Sequence, residues 1–196
     1  MCRFLVIAVI VALPYSASAQ SLEAGVHITT AQWSEFDGAD SGIGGRLTFK
    51  PAALIGVDAE LAWYPSGFPS GIPAFSGSRV EGLLGVTVGP RIDRVRPFAR
   101  AAAGFLRSSE APEPFACIAI FPPPLNCLMA AGHTMPALDI GGGVQFDVAS
   151  RSFARVDISG RWLKYPGPSL RQLPADRAEE FWGTGLRLSF GGGLKF

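Results

Sequence analysis

Beyond its first nineteen residues this 196-residue chain has no long apolar run. It therefore offers no helical membrane span, which needs roughly 20 such residues. It is poor in the residues that most often carry chemistry, with two histidines and three cysteines. Its charge is nearly balanced, 17 basic against 16 acidic residues, so the basic excess that draws a protein to nucleic acid is missing. Cys117, Cys127 and His133 match no structural zinc spacing. The glycine runs Gly141-Gly142-Gly143 and Gly191-Gly192-Gly193 lack the strand–loop–helix context and the Lys-Ser/Thr of a phosphate loop. A Ser–His hydrolase needs a base within reach of its nucleophile, and neither His27 nor His133 sits in a recognisable hydrolase motif. No catalysis, cofactor or metal is expected.

What is present begins with an export signal. Arg3 gives a short positive start, residues 4–13 (FLVIAVIVAL) form an apolar run, and Ala17-Ser18-Ala19 supplies a small-x-small cleavage pattern. Cleavage is expected after Ala19, dividing the chain into a signal peptide (1–19) and one mature domain (20–196). Loss of Arg3 leaves 16 basic and 16 acidic residues, a neutral mature chain. Glycine (24) and proline (16) exceed ordinary usage of about 7% and 5%. Many of the glycines lie inside alternating apolar segments, where they suit barrel strands better than helices.

Eight segments alternate with period two and read as strands. They span 22–33, 42–50, 53–64, 79–88, 97–107, 135–148, 152–163 and 181–196. In the first, Leu22, Ala24, Val26 and Ile28 oppose Glu23 and His27. In the third, Ile55, Val57, Ala59, Leu61 and Trp63 oppose Asp58 and Glu60. In the last, Leu186, Leu188, Phe190, Leu194 and Phe196 oppose Arg187, Ser189 and Lys195. The connections alternate between short (51–52, 89–96, 149–151) and long (34–41, 65–78, 108–134, 164–180). A membrane chain without helical spans must satisfy its backbone between strands, and only a closed barrel leaves no edge in hydrocarbon. The expected fold is all-β: an eight-stranded, antiparallel, up-and-down transmembrane β-barrel. Its short turns would lie on the periplasmic side and its long loops outside the cell, as in bacterial outer-membrane barrels.

In such a barrel the polar faces turn inward, and eight strands leave an interior just wide enough for side chains. Unpaired charge there is costly. Arg46, Asp58, Glu60, Arg79, Glu81, Arg100, Asp139, Asp147, Arg155, Asp157, Arg161, Arg187 and Lys195 are therefore expected to form a lumen charge network that plugs the barrel. Cys117 and Cys127 flank an apolar, Pro-rich stretch of the longest loop and are expected to form a disulfide, as an even cysteine count in an exported protein suggests. Trp33, Trp63, Tyr64, Trp162 and Tyr165 fall near the long-loop ends of strands and suit an interfacial aromatic girdle.

The exported N-terminus, Arg96-Pro97-Phe98 opening a small-residue strand, Gly141-Gly142-Gly143 and the terminal Phe196 together resemble the small outer-membrane β-barrel superfamily, the OmpA- and OmpX-like eight-stranded barrels. The resemblance covers the whole mature chain. Phe190, Leu194 and Phe196 resemble the C-terminal signal read by the barrel assembly machinery. It implies a multi-pass protein of the bacterial outer membrane, monomeric, in contact with lipid and lipopolysaccharide. Its role would be structural or a surface interaction. Phe68, Ile72, Phe75, Phe115, Ile118, Ile120 and Phe121 in the long loops would serve either loop packing or a surface partner. The alternatives are a narrow pore through the same charges and a soluble exported lipocalin-like carrier, in which the apolar faces would turn inward.

Overall fold

The computed structural model describes residues 21–35, 38–65, 77–110, 125–167 and 180–196. The expected signal peptide, Cys117 and the apolar loop residues Phe68, Ile72, Phe75, Phe115, Ile118, Ile120 and Phe121 lie outside them. The strands are β1 (Ser21–Trp33), β2 (Ala39–Lys50), β3 (Ile55–Tyr64), β4 (Arg79–Val88), β5 (Val95–Ser108), β6 (Thr134–Ala149), β7 (Ser152–Tyr165) and β8 (Phe181–Lys195). They run antiparallel in chain order around a closed barrel, with β8 returning to pair with β1. The closing seam is completed by Phe196, whose N–H donates to Leu22 O at 2.8 Å while Leu22 N–H donates to Phe196 O at 3.3 Å. Closure leaves the sheet without an edge. Among the described residues no helix is long and apolar enough to cross a membrane.

Alternation decides which face is which. From Ile55 to Tyr64 every second residue of β3 is exposed and the others are buried. The exposed set is apolar and the buried set carries the charges, the reverse of a water-soluble barrel. The connections 51–54, 89–94 and 150–151 share one rim with residues 21 and 196; the other four lie at the opposite rim and are long except for 34–38, which the early start of β2 leaves shorter than 89–94. Within 89–94, Ile92 and Val95 exchange two backbone hydrogen bonds of 2.8 and 3.0 Å across a two-residue turn, and Asp93 takes φ +54° there. Aspartate tolerates this left-handed conformation better than most residues.

Some boundaries differ from the sequence reading. β2 begins at Ala39, because Gln32 pairs with Ala39 and the ladder outlasts the glycines. β3 begins at Ile55 and β5 at Val95. The loop between β5 and β6 contains a short helix, α1 (Leu125–Ala130). Six residues are too few for intrinsic propensity to announce a helix; Leu125, Met129 and Ala130 hold it by packing into the apolar cluster at the long-loop mouth of the barrel.

That cluster also corrects the aromatic girdle. Trp33, Tyr64 and Tyr165 are buried in it with Ala31, Leu106, Met135 and Leu163, because their positions share the parity of the inward residues of their strands. Trp63, Trp162 and Trp182 lie on the outer face, so the outward aromatics at this end are fewer and include one not singled out from sequence. The glycine triplets provide room for large neighbours. A Cβ on Gly143 would lie 2.0 Å from Val156 O and 2.8 Å from Phe98 Cζ, and one on Gly191 would lie 2.6 Å from His27 Cβ. The Arg155 guanidinium sits 4.1 Å above the centre of the Phe98 ring so accommodated, a cation–π contact.

Candidate functional site: the polar lumen

Below the apolar cluster every strand sends side chains into one buried ionic network. Its centre is Glu60 on β3. Arg46 Nη2 and Arg100 Nη2 each donate to Glu60 Oε2 at 2.9 Å. Arg187 donates to Glu60 Oε1, and His27 Nε2 lies 3.1 Å from the same oxygen. Arg46 also reaches Asp157 at 2.9 Å, and Arg155 bridges Asp157 at 2.8 Å to Asp58 at 3.0 Å. On the loop side, Arg161 grips Asp139 through two parallel bonds of 2.8 Å and also contacts Glu81. Arg187 joins the two halves, lying 3.3 Å from Glu81 Oε1.

Strand register explains the tightest pairs. Arg46 stands directly opposite Glu60, and Asp139 directly opposite Arg161, so each pair shares a rung of the ladder and projects inward together. The planar guanidinium suits such two-oxygen contacts. Arg46, Arg100, Arg155, Arg161 and Arg187 face Asp58, Glu60, Glu81, Asp139 and Asp157, five positive charges against five negative. All ten are buried. Balance of this kind lets charge survive in a dry interior.

The other three residues expected in the network lie apart from it. Arg79 pairs with Asp40 at 2.7 Å towards the long-loop mouth. Asp147 pairs with Lys195 and, at 2.7 Å, with Arg91 at the short-turn rim. There Lys50 and Gln145 both donate to Glu23. Asp40 lies before the strand start at residue 42 that the sequence pattern predicts, although it shares the inward parity of Arg46. Arg96, buried near the same rim, stands out in the sequence only through the Arg96-Pro97-Phe98 motif. Phe190, Leu194 and Phe196 are exposed on the outer face. Cys127 is buried on α1.

His27 touches a carboxylate and no nucleophile. Among the described residues no group of three or more His, Cys, Asp or Glu side chains is placed to hold a metal ion. What the arrangement does is hold buried charge in fixed pairs.

No protein-family model matches the chain, and no curated protein matches it. Solved structures do. Neisserial surface protein A (NspA) shares 14% identity, covering 90% of this chain and 97% of its own, with a TM-score of 0.53. Outer membrane protein OprG of Pseudomonas aeruginosa shares 12% identity over 91% of this chain and 96% of its own, with a TM-score of 0.48. Ail, the attachment invasion locus protein of Yersinia pestis, shares 15% identity over 91% of this chain and 99% of its own at a TM-score of 0.44. The fold is that of the small eight-stranded outer-membrane β-barrels. At these identities the likeness speaks for architecture and not for activity.

Proposed function

We propose that this chain is an integral protein of the bacterial outer membrane whose lumen is plugged, and whose role is structural: it anchors in the bilayer and presents its long loops outside the cell. The observation that carries the reading is the inverted polarity of the barrel. Val26, Leu84 and Phe190, exposed by 68%, 62% and 61%, lie on the outer wall, while five arginines and five carboxylates fill the inside. A wall of that composition is stable against hydrocarbon and costly against water. A lipocalin-like carrier would need the opposite arrangement. The balanced network and the apolar cluster above it favour a plug over a narrow ion path.

Export by residues 1–19, recognition of Phe190, Leu194 and Phe196 by the assembly machinery, and a Cys117–Cys127 bridge steadying the longest loop belong to the same reading. Fractionation of expressing cells tests location: recovery with outer membranes, and a gel mobility that shifts on heating, are expected, and recovery in the soluble periplasm would overturn it. Planar-bilayer recording tests the plug. Large, stable conductance steps from the purified protein would replace it with a pore. Non-reducing mass spectrometry of exported protein tests the bridge, which two free thiols would remove.

A further inference from the structure

At the short-turn rim the barrel opens into a cavity of about 290 Å³. This is near the lower end of the range for small-ligand sites, about 300–1,000 Å³. Lys50, Arg91, Arg94, Arg96 and Lys195 line it against only two carboxylates, Glu23 and Asp147. The lining therefore carries an excess of three positive charges, whereas the central network is neutral. Glu23 is engaged by Lys50, and Asp147 is shared between Lys195 and Arg91. That leaves the guanidiniums of Arg94 and Arg96. Arg94 makes no ion pair among the described residues and sits in the exposed two-residue turn with Asp93.

Arg96 is the decisive group. It is only 7% exposed. Its Nε donates to Gly89 O at 3.3 Å, and its Nη2 has no hydrogen-bond partner among the described residues. Glu23 and Asp58 attract it through space, but neither is within ion-pair distance, and a buried guanidinium with an unfilled donor is unfavourable. A cleft of one charge sign with low-dielectric walls also concentrates the opposite ion. A guanidinium fork matches the oxygens of a phosphate or carboxylate, and an excess of three charges favours a dianion over a monocarboxylate.

We propose that this rim cavity binds a phosphate group, with Arg96 as its buried anchor and Arg94 as an exposed second contact. Free phosphate esters of the periplasm and the phosphate of a lipid headgroup at the bilayer surface present the same chemistry. The site does not depend on whether the lumen is plugged, because it lies on the turn side of the network.

The test uses the full mature chain refolded in a nonionic detergent and titrated calorimetrically with inorganic phosphate, against sodium chloride at equal ionic strength. One phosphate per chain is expected. Arg96→Gln should weaken binding by about tenfold or more. Arg94→Gln, at an exposed position whose hydrogen bond to Asp147 is made by the backbone and not the side chain, should weaken it less while leaving the heat-modifiable mobility unchanged. This second variant keeps the test decisive if Arg96→Gln fails to fold. Heat no larger than that of chloride, or equal affinity in wild type and both variants, would overturn the proposal. Repeating the titration in nanodiscs separates the two sources. Weaker apparent phosphate binding in phosphatidylglycerol than in phosphatidylcholine discs assigns the site to a lipid headgroup; equal binding assigns it to free phosphate.

Discussion

Glu60→Gln is the sharpest perturbation of the lumen, because it changes charge while keeping shape. Glu60 accepts from Arg46, Arg100 and Arg187 and lies beside His27. With glutamine there, five buried arginines face four carboxylates, and the new amide N–H group points donors at donors. Breaking a buried ion pair by removing one partner typically costs about 3–5 kcal/mol, since the remaining charge is uncompensated. Glu60→Gln should therefore lower unfolding stability by about that amount. The assay is urea unfolding of the barrel refolded into phosphatidylcholine vesicles, followed by tryptophan fluorescence and by gel mobility. A second substitution, Arg187→Met, restores the balance at similar volume, and the double variant should recover most of the loss, as replacing a whole buried pair often does. Arg91→Gln is the control. Arg91 pairs with Asp147 but its side chain is 64% exposed, so its loss should cost about 0–1 kcal/mol. If Glu60→Gln stays within about 0.5 kcal/mol of wild type, or if the double variant is no better than the single, buried charge balance is not what sets the stability of the interior.

Two further perturbations address the parts around the network. Gly143→Ala places a Cβ against Val156 O and the Phe98 ring and should cost about 1–3 kcal/mol by overpacking; Gly160→Ala, whose Cβ would meet nothing nearer than Trp162 at 3.4 Å, should be tolerated, and the urea midpoints of the two variants make the comparison. Leu125→Asp sets a charge into the apolar cluster under α1; amide exchange should accelerate across 125–130 while the barrel strands stay protected, and unchanged protection of α1 would show that the helix does not depend on the lumen mouth.

How much was legible follows from which signals are local. A period of two is local, so β3, β7 and β8 and the faces of their residues could be read directly: Asp58, Glu60, Arg155 and Arg187 point where their parity sends them. Parity would also have turned Trp33 and Tyr64 inward, since they alternate in step with Glu23 and Glu60. A rule about aromatics at membrane interfaces overrode that count. Strand ends were harder. Asp40 precedes three glycines, Gly42, Gly44 and Gly45, that weaken the strand pattern, and its pairing across β1 and the partner Arg79 keep it in the ladder. Which charges meet is not local at all. Arg46 and Asp157 are far apart in sequence and touch at 2.9 Å because the barrel closes, and α1 forms because a mouth lined by Trp33 and Tyr165 is there to receive Leu125.

The two ends of the lumen differ in a way that bears on transport. Towards the loops, an apolar cluster packs across the interior: Trp33, Leu106, Met135 and Tyr165 with Leu125 and Met129. Such a layer gives an ion little beyond the Trp33 indole nitrogen and the Tyr165 hydroxyl to replace its hydration shell. In the middle, each arginine is committed to carboxylates, so a cation that entered would have to displace a guanidinium and an anion would have to displace a carboxylate, both at a desolvation cost the existing pairs already offset. Among the described residues, the turn rim has charge left over, and there it is positive and sits beside open volume. A solute arriving from that side meets Arg96 and then the neutral network, with no unpaired carboxylate or guanidinium series to lead it further. On the proposed plugged reading, this rim is a vestibule with one entrance. Substituting the charged middle alone, as in Glu60→Ala, should therefore leave conductance near zero in a planar bilayer, whereas conductance should rise only when the loop-side layer is also opened, as in Glu60→Ala with Tyr165→Ser. A conducting Glu60→Ala variant would show that the aromatic layer is permeable and that charge pairing alone closes the barrel.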